Sequence, residues 1–182
     1  LGLVYDLTDH HSVYASYTSI FQPQTVRDTN NQILDPEEGN SYEAGLKSEF
    51  RDGRVNTTVA VFRTDQDNLA ESTGQPIPGG PANSVAYRAV DGAQTNGFEL
   101  EASGEILPRW QLLAGYTYRI TEDPEGDELN TSSPEDMLRL STRYRFNGSL
   151  DGLTLGTSIA WQNKTYAFVT RPGHSGDFKF VQ

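Results

Sequence analysis

The feature that most constrains the fold is alternation with a period of two, repeated along nearly the whole chain. In Asp136–Phe146, Leu138, Leu140, Thr142, Tyr144 and Phe146 fall on one side of an extended backbone, while Arg139, Ser141, Arg143 and Arg145 fall on the other. Leu153, Leu155, Thr157, Ile159 and Trp161 repeat the pattern. Leu112, Ala114, Tyr116 and Tyr118 form a third set, and Phe98, Leu100 and Ala102 a fourth, opposed by Glu99, Glu101 and Ser103. Tyr42, Ala44, Leu46 and Phe50 oppose Glu43, Gly45, Lys47 and Glu49, and Val13, Ala15 and Tyr17 oppose Tyr14, Ser16 and Thr18. The β-branched run Val55–Asn68 adds a strand that is less cleanly two-faced. With a strand already under way in the opening LGLVYD, these segments predict about eight strands of roughly 9–13 residues, the length a tilted strand needs to cross a bilayer.

The connections alternate in length. Short ones at 7–11, 51–54, 106–109 and 147–152 carry Asp-Gly, Asn-Gly or Pro turn signals. Long ones at about 21–40, 69–92, 122–135 and 167–177 are rich in Pro, Gly, Asp, Glu, Asn and Gln. This rhythm predicts an antiparallel up-and-down meander with its tight turns at one end, which in a transmembrane barrel is the periplasmic end. No run of 18 apolar residues is present, so no membrane-spanning helix is expected; a barrel needs only alternate residues apolar. Aromatics cluster toward the strand ends, as at Tyr17, Phe21, Tyr42, Phe50, Tyr116, Tyr118, Tyr144, Phe146, Trp161 and Tyr166, where a ring is apolar and its polar atom stays wet. A soluble β-sandwich would alternate too, but Glu and Arg recur here in mid-strand.

The net charge of -11 argues against nucleic acid as a partner. There is no Cys, hence no disulfide framework. Sites of chemistry are sparse. His10 and His11 sit in a short turn without a third ligand at useful spacing, so no metal site is expected there. Gly173-His-Ser-Gly lacks the elbow geometry of a serine nucleophile, so no enzyme is expected. The acidic run Glu122–Glu128 lacks alternating Ca²⁺-ligand spacing and reads as a solvated loop. The mid-strand charges Glu43, Lys47, Glu49, Glu99, Glu101, Arg139, Arg143 and Arg145 are expected to face a lumen, hydrated or packed against a polar plug.

Several blocks in order resemble one family. VYASYTSIFQPQ, then LDPEEGNSYEAGLKSEFRDGRVNTTVAVFRTDQDN, then NGFELEASGEILPRWQLLAGYTY and SPEDMLRLSTRYRF, are similar to the TonB-dependent siderophore receptors, in particular the ferripyoverdine and hydroxamate branch. The resemblance implies an all-β chain that is part of a 22-stranded transmembrane β-barrel in the bacterial outer membrane, among its lipids. It also implies binding of a ferric siderophore and import with energy supplied by the TonB complex. Iron would travel as the chelate, with no cofactor bound directly, and a plug domain would fill the lumen. Residues 1–182 read as a partial receptor barrel: no signal peptide, plug or TonB box is seen, there is no initiator Met, and the last strands are missing. A diffusion porin or other small outer-membrane barrel is the alternative. On the expected strand directions the extracellular rim falls near Phe21, Gln22, Tyr87, Arg88, Tyr166 and Phe168. Aromatics and Arg there would stack on a chelate and meet its anionic groups, or else serve as interface girdle.

Overall fold

The computed structural model describes residues 1–81, 83–129 and 133–165 and, as backbone, 166–169 and 178–181. Among the described residues twelve strands follow one another: β1 (Gly2–Thr8), β2 (His11–Gln22), β3 (Glu37–Phe50), β4 (Val55–Asp67), β5 (Leu69–Pro76), β6 (Val85–Val90), β7 (Ala93–Leu107), β8 (Trp110–Glu122), β9 (Asp136–Arg145), β10 (Thr154–Gln162), β11 (Tyr166–Val169) and β12 (Phe178–Val181). Eight of them form one antiparallel sheet in the order β1-β2-β3-β4-β7-β8-β9-β10. This is the up-and-down meander the alternation predicts. β5 pairs with β6, and β11 with β12, as separate two-stranded sheets. The β5–β6 hairpin lies inside what the sequence suggests is an irregular loop over 69–92.

The tight turns between neighbouring strands of the eight-stranded sheet all lie at one end. Arg51 and Asp52 (both φ 57°) and Gly53 (φ 78°) turn β3 into β4, and Arg109 (φ 69°) turns β7 into β8. Gly104 sits beside that end of β4 with φ 135°; a Cβ there would collide with the Arg54 carbonyl oxygen, so only glycine lets β4 and β7 close up. The opposite end carries the long connections.

Register makes the two faces explicit, because side chains alternate and paired residues share a face. One row runs Tyr5, Val13, Leu46, Val59, Leu100, Tyr116, Leu138 and Trp161 across all eight strands. The neighbouring row on the other face runs Val4, Tyr14, Gly45, Ala60, Glu99, Thr117, Met137 and Gln162. The expected lumen charges, Glu43 to Arg145, all share this second face. Apolar residues thus form one continuous surface, and it is open: Val59 is 47% exposed, Ile159 55% and Trp161 52%. A soluble sheet would cover such a face; a lipid bilayer covers it here.

Burial leads to the same conclusion. Among the described residues the buried apolar side chains are Ala60, Leu69, Ala86, Val90, Ala93 and Leu129, far too little for a globular core. Four of these, Leu69, Val90, Ala93 and Leu129, form one cluster among the long connections rather than under the sheet.

The apolar surface is framed by aromatics. Trp110 meets Tyr144 edge-on at 6.2 Å, and Tyr144 meets Phe146 at 5.1 Å, near the tight turns. Tyr17 packs on Tyr42 at 5.4 Å, and Phe98 on Tyr118 at 5.7 Å, toward the long loops. Trp110 and Tyr118 are eight residues apart on β8, about 27 Å of strand at ~3.4 Å per residue and about 20 Å along the normal once tilted ~40°. The two belts therefore bracket an apolar band of bilayer dimensions.

Candidate functional site: the loop rim and the polar face

The rim at the long-loop end is built, not loose. β4 ends at Asp67, and Asn68 (φ 57°) turns the chain into β5. Leu69 pairs with Val90 across the hairpin, and both pack on Ala93 and on Leu129 from the β8–β9 loop. Burying Leu69, Val90 and Leu129 supplies about 1.5–3 kcal/mol each, enough to hold a short hairpin that could not stand alone in water. The β2–β3 loop joins in: the Tyr87 N–H donates to the Arg27 carbonyl at 2.8 Å, and the Gln24 amide donates to the carbonyls of Asp35 (2.8 Å) and Asn68 (2.6 Å).

Charge on the rim is ordered locally. Asp28 Oδ1 accepts the backbone N–H groups of Gln32 and Asn30, each at 2.8 Å, and these bonds hold its carboxyl below the usual value. Glu135 shows the opposite: burial pushes its carboxyl up, and the neighbouring Glu128 adds to the shift. Asp123 Oδ1 caps the tip of the β8–β9 loop by accepting from Glu125 N (3.1 Å) and Asp127 N (2.8 Å).

The six rim residues singled out from sequence fall in three places. Phe21 and Gln22 end β2 on opposite faces: Phe21, 66% exposed, lies on the apolar side, and Gln22 lies on the polar side opposite Glu37. Tyr87 and Arg88 lie on β6, and the Arg88 guanidinium grips Glu71 of β5 at 2.5 and 2.7 Å. The backbone of Tyr166 and Phe168 pairs with Val181 and Lys179; their side chains lie outside the described residues. The β2–β3 loop, through Arg27, thus approaches the strand that carries Tyr87 and Arg88.

The polar face is lined differently on its two halves. The Tyr14 ring lies over Gly45, its hydroxyl donates to Glu43 at 2.5 Å, and the Lys47 ammonium sits 4.9 Å from the ring centre. The Phe62 ring lies over Gly97. On β8 the corresponding space over Gly115 is open, and a groove of about 550 Å³ runs between Glu101 and Arg139. Among the described residues the ion pairs are Arg63–Asp65, Arg88–Glu71 and Arg109–Asp151, so Glu99, Glu101, Arg139 and Arg143 meet no opposite charge of those residues within bonding reach. Among the described residues no group of three or more His, Cys, Asp or Glu is placed to hold a metal ion.

An apolar outer surface between aromatic belts, a charged inner surface and an organised rim define a wall section of a transmembrane β-barrel of the outer membrane. The comparisons with known proteins narrow that class. Residues 1–178 match the family model described as TonB dependent receptor-like, beta-barrel. The chain is 45% identical to the ferripyoverdine receptor of Pseudomonas aeruginosa over 186 aligned residues, covering 100% of this chain and 23% of that protein. The crystal structure of the ferripyoverdine receptor of the Pseudomonas aeruginosa outer membrane, bound to ferripyoverdine, superposes with a TM-score of 0.81 at 45% identity, covering 100% of this chain and 24% of that one. The alcaligin outer-membrane receptor of Bordetella pertussis superposes with a TM-score of 0.68 at 49% identity, covering 88% of this chain and 28% of that one. The chain belongs to the TonB-dependent receptor family, as part of its β-barrel. It spans about a quarter of the length of the relatives it matches.

Sequence reasoning missed the side chains that knit the rim. Gln24, Asn68 and Asp91 carry no motif, and their bonds span separations of up to 44 residues.

Proposed function

We propose that this segment belongs to an outer-membrane receptor that binds a ferric siderophore and imports it with energy from the TonB complex. The observation that carries the reading is 45% identity over the whole chain to a ferripyoverdine receptor, rim included. The role is binding and transport, not catalysis. Iron enters as the chelate's cargo, and the plug and TonB complex are partners of the complete receptor. In this reading Gln22, Tyr87 and Arg88, with Tyr166 and Phe168 of β11, meet the chelate at the rim, the aromatics by stacking and Arg88 through anionic groups in exchange for Glu71. Phe21 sits where it also serves the interfacial belt.

The test is uptake of radioactive iron by a receptor-deleted strain carrying the full-length parent gene. A panel of ferric siderophores, ferripyoverdine first, is supplied with and without functional TonB. TonB-dependent uptake of one chelate supports the reading. A steady, TonB-independent conductance in planar bilayers with no chelate uptake would instead point to the diffusion porin.

A further inference from the structure

Beside the backbone bond from the Tyr87 N–H to the Arg27 carbonyl, the side-chain bonds that join the rim segments converge on one residue. Asn68 uses three of its groups at once. Its backbone N–H donates to Asp91 Oδ1 at 3.0 Å, its Nδ2 donates to the Pro36 carbonyl at 3.0 Å, and its own carbonyl accepts from Gln24 Nε2 at 2.6 Å. Gln24 and Pro36 stand at the two ends of the β2–β3 loop, and Asp91 lies in the turn from β6 into β7, at the base of the β5–β6 hairpin. The adjacent Asp67 accepts the Gly92 N–H at 2.8 Å in the same turn. The left-handed backbone at position 68 favours Asn or Gly, and of these only Asn brings a side-chain donor to Pro36.

We propose that Asn68 is a positioning residue: it couples the β2–β3 loop to the β5–β6 hairpin, so that the two segments face a ligand as one body. The inference rests on the receptor reading above and deepens it. Two segments that order separately each lose conformational entropy when a ligand engages them; segments already tied lose it once, in folding. Asn68 touches no ligand in this scheme. It acts by holding the carbonyl and amide groups of both segments in a fixed relation.

The experiment uses the full-length parent. Asn68→Gly keeps the left-handed backbone, the N–H bond to Asp91 and the carbonyl that Gln24 reaches, and removes only the donor to Pro36. Gln24→Ala breaks the tie from the other side. Each is expected to weaken ferripyoverdine affinity about tenfold, on the scale of one or two lost hydrogen bonds, while uptake at saturating chelate keeps its wild-type rate. The double variant is expected to be worse than either single one, because each single variant leaves the other bond between the loop and residue 68 in place. Hydrogen exchange supplies a readout that needs no ligand: amides of residues 26–34 and 69–90 lose protection together, while β3 and β4 keep theirs. Unchanged affinity in both variants overturns the proposal, as does exchange that rises in the hairpin with residues 26–34 unmoved. A wild-type receptor that takes up no ferric siderophore sinks the receptor reading, and the exchange result still decides the coupling.

Discussion

Glu135 and Asp28 show how one functional group, the carboxyl, takes opposite roles within a single rim. Burial beside Glu128 raises the Glu135 carboxyl above its usual 4.5. The packed β8–β9 loop therefore favours the protonated form: the contribution is complete below 4.5 and is lost as pH rises through the raised value. Asp28 is held below its usual 3.8 by the N–H groups of Gln32 and Asn30, so its contribution is present above 3.8 and is lost as pH falls through the lowered value. Glu135→Gln, neutral and nearly isosteric, is expected to slow proteolysis within 123–135 at neutral and alkaline pH and to flatten its pH dependence. A loop whose cleavage rate keeps the wild-type pH profile in this variant would contradict the assignment. None of this is legible from EDPEGDELNTSSPED, where every carboxylate reads as equally solvated; the shift arises from packing that the sequence does not display.

The β5–β6 hairpin is the element that sequence reading misses, and the reason is physical. Three prolines, Pro76, Pro78 and Pro81, and the pair Gly79-Gly80 lie within or next to it, and β6 is only 6 residues long. Local propensity therefore favours a loop. Leu69 and Val90 are buried against Leu129, which is 39 residues beyond Val90 in sequence, so the stabilising contacts are tertiary. Leu129→Ala in the full-length receptor is expected to cost the rim about 2–5 kcal/mol. Protease cleavage inside 69–90 should accelerate, while the barrel's heat-resistant migration on gels stays unchanged. If the barrel itself melted earlier, the cluster would belong to the wall and not to the rim. By contrast, β2, β3, β7, β8, β9 and β10 are readable residue by residue, because each must present one face to lipid and one to the lumen along its length.

At the scale of the whole molecule, stability is divided between two solvents. The apolar row through Leu46, Val59, Leu100 and Leu138 faces hydrocarbon, while the row through Tyr14, Glu99 and Gln162 faces the lumen. Val59→Arg is expected to cost about 2–4 kcal/mol at mid-bilayer depth. Thr58→Arg, one residue away on the polar face, should cost a small fraction of that; refolding of the full-length receptor into lipid vesicles across a urea series measures both. Equal costs at the two positions would mean the faces are misassigned. This division is the part of the architecture most open to sequence reading, since alternation and turn spacing encode it directly. The rim is the least open, since its contacts join segments that nothing local connects.

The hairpin's anchoring also bears on what the cell surface can tolerate. Leu69 and Val90 fasten its base, whereas Gly79 at its tip has no atom near the place a Cβ would occupy. A short epitope spliced between Gly79 and Gly80 breaks the tip's bond from the Gly80 N–H to the Ile77 carbonyl but touches none of the base contacts, so it should leave the rim intact and be bound by antibody on living cells, without permeabilisation. The tip is then a stretch whose sequence can change while the packed base beneath it keeps its shape.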